Sequence, residues 1–324
     1  MSSPAQRIAG ALTVRAFTAE DSAAVADVMN AVSVETGGAL ELPPGAIENV
    51  VRGEVLDPSK DTRLVCDPNG RVVAVALVRL PPDGGSRVTL SGAVLPTRRG
   101  TGIGRMLLSW QLARAAARHQ ELAPGVDWTA QLDAGADDAP ALRLYERMGF
   151  DPERYFFEMS TATSADVGGP GVPGMQILPF DGREWEVYAA HQSAFDGSWG
   201  FQRRTFESWA ALTVQADTFL PDLALVAVSD GRVVGYLLPY ADAPDAFYIG
   251  QMGTVAEWRR RGVASALLAE VLRSAHRRGY ATAALETDAT SPEGAPRVYQ
   301  KLGFAVDRRV VVYCRPLPHR ESSL

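Results

Sequence analysis

The turn Arg99-Gly100-Thr101-Gly102-Ile103-Gly104 decides the fold, because its pattern returns 160 residues later as Arg259-Arg260-Arg261-Gly262-Val263-Ala264. Both stretches fit Arg-x-x-Gly-x-Gly/Ala, and each follows an apolar strand pattern and opens a long helix with an apolar face. The first turn of a helix has N–H groups without internal acceptors, and the helix dipole adds partial positive charge there. The repeated turn therefore predicts two binding sites for a pyrophosphate group.

Two further landmarks recur around these turns in the same order. Asn69-Gly70-Arg71 matches Asp230-Gly231-Arg232 at an offset of 161, and the Tyr-x-x-x-Gly-Phe motif at Tyr145 returns at Tyr299 at an offset of 154. A nearly constant offset indicates two copies of one domain, which the length of 324 residues accommodates. We predict domains over residues 1–160 and 175–318, a Gly- and Pro-rich linker over 161–174, and a tail over 319–324.

Both copies contain the same series of strands and helices. Asn-Gly and Asp-Gly join apolar runs in the two copies and are strong signals for a β-hairpin. The predicted fold class is α/β (α+β), with a mixed sheet of about six or seven strands flanked by helices in each copy.

Composition excludes several classes of protein. Hydrophobic residues make up 46% and charged residues 22% of the chain, as in an ordinary globular protein. No apolar run is long enough to span a membrane, and the N-terminus lacks the apolar core of a secretory signal, so we expect a cytoplasmic protein without a membrane partner. A net charge of −6 disfavours nucleic acid. Cys66 and Cys314 show no ligand spacing, and we expect no metal site.

Together these motifs resemble the GNAT superfamily of acyl-CoA-dependent N-acetyltransferases. Two copies in one chain resemble the tandem GNAT proteins, a group that includes the mycothiol synthases. The resemblance covers nearly the whole chain except the linker and the tail. It implies two GNAT-like domains, acetyl-CoA or another acyl-CoA as the cofactor, and a small-molecule primary amine as the acceptor. We expect a monomer or a weak dimer.

The resemblance also implies where the cofactor lies. The CoA pyrophosphate would bind the N–H groups of the two turns, the pantetheine would pair with the preceding strand ends like one more strand, and Tyr145 and Tyr299 match the family tyrosine near the sulfur. The implied cofactor-binding residues are Ala93, Val94, Leu95, Arg99, Gly100, Thr101, Gly102, Ile103, Gly104, Arg105 and Tyr145 in the first copy, and Gly253, Thr254, Val255, Arg259, Arg260, Arg261, Gly262, Val263, Ala264 and Ser265 in the second.

The implied chemistry assigns three catalytic roles. The amine attacks as a neutral base, so a carboxylate or a chain of water molecules should accept its proton. Among the carboxylates Glu286 ranks first, ahead of Asp288, Asp242 and Asp245. The N–H of Val255, or of a neighbouring residue on the same strand, is the candidate donor for the oxyanion, and Tyr299 is the candidate donor for the departing thiolate. The alternatives are a solvated strand-end carboxylate at Glu286 and a packed aromatic ring at Tyr299.

The working site is expected in the second copy. Its segment His191–Phe201 is aromatic and polar and lies where the family builds its acceptor pocket, although a lone histidine such as His191 is more often a packed residue than a base. The first copy would bind acetyl-CoA in a structural or degenerate role. Two alternatives stay open: a non-catalytic acyl-CoA-binding or sensing protein, and a mycothiol synthase.

Overall fold

The described residues fall into two compact units. The N-terminal unit takes the described chain through Arg154 and also residues 310–317, and the C-terminal unit spans Tyr155 to Arg309. The computed structural model describes residues 6–8, 12–38, 42–54, 57–81, 85–290 and 294–317.

The N-terminal unit is a mixed sheet with helices on both faces. Its strands are β1 (Gln6–Ile8), β2 (Leu12–Arg15), β3 (Thr62–Cys66), β4 (Val72–Arg79), β5 (Arg87–Val94), β6 (Trp128–Gly135) and the last part of β13 (Ala305–Leu317), in that order across the sheet. Its helices are α1 (Ser22–Glu35), α2 (Pro44–Glu54), α3 (Pro58–Asp61), α4 (Ile103–Leu122) and α5 (Ala139–Arg147). Alternate residues of β3 and β4 pack on α1 and on α4, so both faces of the sheet are buried.

The C-terminal unit repeats this plan. Its strands are β7 (Asp151–Ala162), β8 (Gln176–Pro179), β9 (Leu225–Ser229), β10 (Arg232–Ala241), β11 (Ala246–Thr254) and β12 (Thr282–Asp288), in the spatial order β7-β12-β11-β10-β9-β8. Its helices are α6 (Glu184–Phe195), α7 (Phe206–Leu212), α8 (Val263–Arg277) and α9 (Ala295–Lys301). Helices α8 and α9 cover one face of the sheet and α6 and α7 the other. The predicted fold class is confirmed.

Each unit contains a strand that the other half of the sequence supplies. In the N-terminal unit, Val310 to Leu317 of β13 pair antiparallel with β6. In the C-terminal unit, Phe156 to Ala162 of β7 pair antiparallel with β12. The predicted boundaries at residues 160 and 318 therefore differ from those of the compact units. The same Tyr-x-x-x-Gly-Phe motif precedes β7 and β13. From this pattern, either strand could complete the sheet of either unit.

Residues 163–174, predicted as most of the linker, pack against α8 in the C-terminal unit. The guanidinium of Arg273 donates a 2.5 Å hydrogen bond to the carbonyl of Val167. A Cβ at Gly169 would lie 2.8 Å from the Cβ of Ala269, so glycine is needed for this close approach. Val172 is buried in the same core. The segment is part of the packed unit because its few apolar side chains and its glycines fit along the helix.

We expect Gly169→Ala to destabilise the protein by about 1–3 kcal/mol, because the added methyl group pushes the segment away from α8. Gly168→Ala is the matched control, since a Cβ at Gly168 would meet no atom within 4 Å. Its effect should stay within about 0.5 kcal/mol, as for an exposed substitution. Urea unfolding of the two variants checks the prediction. Equal stabilities would contradict the packed arrangement of this segment.

Candidate active site

The two repeated turns have the same backbone conformation. Gly262 has a φ of 91° and its counterpart Gly102 a φ of 86°. Arg260 has a φ of 60° where the N-terminal turn has Gly100 at 74°. A left-handed conformation at a non-glycine residue costs free energy and persists only where the surroundings impose it. The match shows that the sequence motif specifies one loop shape in both units.

The helices that follow the turns begin without a side-chain cap. Gly102 and Gly262 are the N-cap residues of α4 and α8, and glycine has no side-chain oxygen to accept from the first N–H groups. At the second turn a Cβ on Gly262 would lie 3.1 Å from the Cγ of Pro170, so a larger residue would also require the proline ring to shift. The first-turn amides suited to an anion belong to the predicted residues Ile103, Gly104, Arg105, Val263, Ala264 and Ser265.

The arginines that open the two turns have different partners. Arg99 forms ion pairs with Glu35 at 2.9 Å and Asp138 at 3.0 Å, so two carboxylates compensate its charge. Arg259 instead donates a 2.6 Å hydrogen bond to the carbonyl of Ala194 at the end of α6. Its Nε also donates a 3.3 Å hydrogen bond to the carbonyl of Thr254 on β11. The two arginines thus hold different parts of their own unit in place beside the turn.

In both units the parallel pair of central strands separates before the turn. β11 pairs with β12 only over Ala246 to Ile249, and β5 pairs with β6 only over Arg87 to Thr89. Beyond those residues each strand keeps its antiparallel neighbour on one edge, and no described strand pairs with its other edge. Such an edge binds an extended chain through main-chain hydrogen bonds. The predicted residues Ala93, Val94, Gly253 and Thr254 lie along these edges.

The assignment of Val255 as the oxyanion donor does not agree with the structure. Its N–H donates a 3.0 Å hydrogen bond to the carbonyl of Val234, which lies on the opposite side from the open edge. The equivalent N–H of Leu95 donates to Val73 at 2.9 Å. Sequence spacing cannot show which edge an N–H faces, because successive residues of a strand point their backbone groups in opposite directions.

The strands β11 and β5, which precede the two turns, differ in one respect. β11 contains a β-bulge, because Leu238 of β10 lies opposite Gln251 while the next residue, Pro239, lies opposite Ile249. Gly250 is the additional residue, and it lies where β11 leaves β12. The pairing of β4 with β5 has no such shift. Bulges are frequent beside active sites, where they redirect backbone groups and side chains.

The two motif tyrosines lie beside the separating strands. Tyr299 is buried on α9, and burial raises its pKa to about 12, with the nearby Thr287 hydroxyl opposing the shift. Thr287 belongs to the part of β12 beyond the pairing with β11. Tyr145 donates a 3.2 Å hydrogen bond to the carbonyl of Asp133, and burial raises its pKa as well. Both phenols are therefore protonated at neutral pH.

The candidate bases have distinct surroundings. Glu286 is exposed on β12 directly after the last residue paired with β11. Its cross-strand neighbour Glu158 is buried and ion-paired with Arg308. Asp288 accepts 2.8 Å hydrogen bonds from the N–H and hydroxyl of Thr290 in a local turn. Asp242 and Asp245 lie at the other end of β11, away from the bulge. Glu286 is therefore the candidate nearest the separation.

His191 belongs to an aromatic cluster on the α6 and α7 face. Its Nδ1 is 2.6 Å from the hydroxyl oxygen of Tyr236, and its ring lies 4.9 Å from that of Phe195 and 5.6 Å from that of Phe201. Burial, with a smaller contribution from Arg204, lowers its pKa to about 4. A neutral imidazole already bonded to a phenol is a weak proton acceptor.

Sequence reasoning missed three residues near the bulge. Tyr240 and Tyr248 lie opposite each other on β10 and β11, and Gln251 accepts a 3.2 Å hydrogen bond from the indole N–H of Trp209. The available signal was the isolated glycine at position 250 within an otherwise apolar strand, which is typical of a bulge. Among the described residues no group of three His, Cys, Asp or Glu side chains is arranged to hold a metal ion. No helix in the described ranges is long and apolar enough to span a bilayer.

Both halves of the chain match known families. Residues 185–304 match the acetyltransferase (GNAT) family, and residues 59–152 match an acetyltransferase (GNAT) domain. The architecture is thus that of two GNAT domains in tandem. The chain belongs to the GNAT acetyltransferases and is an N-acetyltransferase.

Relatives of similar length support this conclusion. Mycothiol acetyltransferase from Tsukamurella paurometabola is 27% identical over 77% of this chain and 86% of its own length. The enzyme of the same name from Nocardia farcinica is 27% identical over 79% of this chain and 84% of its own. A GCN5-related N-acetyltransferase from Sphaerobacter thermophilus has a TM-score of 0.75 at 29% identity and covers 98% and 99% of the two chains.

More distant structures share the fold. A tandem GNAT protein from the clavulanic acid biosynthesis pathway has a TM-score of 0.69 at 20% identity, over 96% of this chain and all of its own. The N-myristoyltransferase of Saccharomyces cerevisiae, solved with bound myristoyl-CoA, has a TM-score of 0.63 at 11% identity, over 97% of this chain and 80% of its own.

We expect the folded protein to lose stability between about pH 6.5 and pH 4 through His191. The unfolded chain binds a proton there more readily than the folded one, so the loss grows as the pH falls and reaches at most about 3 kcal/mol. His191→Asn keeps an acceptor for the Tyr236 hydroxyl and should reduce this dependence. Urea unfolding at several pH values checks it, with His276→Asn as the control for an exposed imidazole. A profile unchanged by His191→Asn would contradict the buried, neutral histidine.

Proposed function

We propose that the C-terminal unit transfers an acetyl group, or another acyl group, from coenzyme A to the primary amine of a small molecule. The observation that carries the proposal is the combination found on β11: an open edge, a bulge at Gly250 and an uncapped helix at its end. The N-terminal unit has the open edge and the uncapped helix without the bulge. We propose that it binds acyl-CoA without turnover.

The residues present fit such a ligand. The amides of Val263 to Ser265 suit the pyrophosphate, and the open edge at Gly253 and Thr254 suits the amide groups of pantetheine. In the N-terminal unit the corresponding groups are those of Ile103 to Arg105 and of Ala93 and Val94. Bound coenzyme A would supply the thioester at the point where β11 and β12 separate.

Two side chains then have proton-transfer roles. A C–N bond forms between the amine and the thioester carbon, and the C–S bond breaks. Glu286 would accept the amine proton, either directly or through water, because its carboxylate lies beside the separation. Tyr299 would protonate the leaving thiolate, since burial keeps its phenol protonated at neutral pH. Glu286→Gln keeps the shape and removes the proton acceptor, so it is the variant that tests the base.

A mycothiol-type acceptor is the second candidate. Two relatives that cover most of this chain are named mycothiol acetyltransferase. At 27% identity the acceptor need not be shared, so a general small amine stays the first proposal. For the whole chain, the contrasting function is a non-catalytic acyl-CoA sensor. The geometry of the N-terminal unit, whose β5 has no bulge, favours such binding without catalysis.

Incubation with labelled acetyl-CoA and a panel of small primary amines, including mycothiol that lacks its acetyl group, tests the proposal. We expect the label on at least one amine, identified by mass spectrometry. Preference for the mycothiol compound would favour the second candidate. Native mass spectrometry that finds acyl-CoA retained with every amine, and no labelled product, would support a sensor and overturn the enzymatic proposal.

Tyr299→Phe and Tyr145→Phe form a matched pair that tests which unit is active. We expect Tyr299→Phe to lower kcat by about 10²–10⁴-fold through loss of the general acid, with little change in affinity for coenzyme A. Tyr145→Phe should leave kcat within about twofold. Steady-state kinetics with an amine from the panel, together with calorimetric titration of coenzyme A, measures both. The opposite ranking would place the chemistry in the N-terminal unit.

A further inference from the structure

The hydroxyl oxygen of Tyr240 is buried and has no hydrogen-bond partner among the described residues. Five other buried side-chain polar atoms in the described ranges also lack one, and all of them belong to residues of the N-terminal unit. A buried hydroxyl without a partner disfavours the folded state, because the group has lost its bonds to water. Such a group in a native protein calls for an explanation, and a bound ligand supplies one.

The ring of Tyr240 crosses the bulge. Two of its carbons, Cδ2 and Cε2, lie 2.6 Å from the position that a Cβ on Gly250 would take. The ring therefore reaches from β10 over Gly250, the additional residue of the bulge. Gly250 is the first residue of β11 beyond the pairing with β12, so the ring that carries the hydroxyl lies over the point where the two strands separate. Phe219 packs against the other part of the ring, 5.9 Å between centroids.

The reaction proposed for this unit needs a donor at that point. Negative charge develops on the acyl oxygen as the amine attacks, and preorganised donors lower the barrier. The N–H of Val255 is bonded to Val234 and is not available for this role. Burial raises the pKa of Tyr240, so its hydroxyl stays protonated and able to donate.

The N-terminal unit lacks this donor. By the offset of 161 between the hairpin motifs, Arg79 occupies the position of Tyr240. Its guanidinium donates a 3.2 Å hydrogen bond to the hydroxyl of Ser91, and β5 has no bulge for a ring to cross. The C-terminal unit therefore has both the Tyr240 hydroxyl and the bulge in β11, and the N-terminal unit has neither at the corresponding positions.

We infer that Tyr240 is a catalytic residue whose hydroxyl donates a hydrogen bond to the acyl carbonyl oxygen during transfer. The inference rests on the function proposed for the C-terminal unit. The bond strengthens as charge develops on the oxygen, and the proton stays on the phenol. The bonds that form and break, and the proton transfers at Glu286 and Tyr299, are unchanged by this donor.

Tyr240→Phe tests the inference through two readouts that move in opposite directions. We expect kcat to fall by about 10²–10³-fold, with KM for both substrates within about twofold, because the bond is made in the transition state. The melting temperature should rise by about 2–4 °C, since the variant removes an unsatisfied buried hydroxyl. A merely structural tyrosine would lose activity and stability together.

Tyr188→Phe is the control, because the Tyr188 hydroxyl donates a 2.7 Å hydrogen bond to the carbonyl of Arg204. Its melting temperature should fall while kcat stays within about twofold. Gly250→Ala places a methyl group against the Tyr240 ring and should lower kcat in the same way as Tyr240→Phe.

Three results would overturn the inference while leaving the proposed function intact. They are an unchanged kcat in Tyr240→Phe, a loss of kcat accompanied by a lower melting temperature, and a raised KM for the amine at unchanged kcat. The last would make Tyr240 an acceptor-binding residue. An unmodified chain that acetylates no amine in the panel would overturn the proposed function, and the inference with it.

Discussion

The separation of two parallel strands is the constraint on which the candidate site depends. Backbone N–H and C=O groups need partners, and in a continuous sheet the neighbouring strand supplies them. In both units the parallel pairing lasts only three or four residue pairs before the strands part. The remaining edge ends at a helix whose N-cap is glycine, so two kinds of unsatisfied backbone group lie close together. A long ligand with a pyrophosphate and several amides matches both.

The duplicated units preserve this backbone arrangement and differ in the side chains around it. The turns agree at corresponding positions, even where Arg260 replaces Gly100 at positive φ. Around them, Arg99 forms ion pairs with Glu35 and Asp138, and Arg259 donates hydrogen bonds to the carbonyls of Thr254 and Ala194. The bulge is present in β11 and absent from β5. The shared features are those that the proposed binding of coenzyme A needs, and the bulge is a difference on which the proposed division of roles rests.

The C-terminal unit holds polar groups at a cost in stability. His191 is neutral in an aromatic cluster and the Tyr240 hydroxyl has no partner among the described residues. Position 240 would be more stable with an apolar side chain of similar shape, whereas an apolar residue at position 191 would leave the Tyr236 hydroxyl without its partner. An unsatisfied buried hydroxyl calls for an explanation, and the Tyr240 ring packs against the core on the face that α6 and α7 cover.

The sequence by itself determined the tandem organisation, the helix that follows each glycine turn and the two motif tyrosines, because these follow from local spacing and from backbone conformations that favour glycine. The tertiary structure decided that β7 completes the C-terminal sheet and β13 the N-terminal sheet. It also decided the packing of residues 163–174, the partner of the Val255 N–H and the burial of the Tyr240 hydroxyl without a partner among the described residues. These features depend on which distant segment lies beside a strand or helix. Because β7 and β13 have similar patterns, either could pair with β6 or β12, and spacing along the chain does not show which pairing forms.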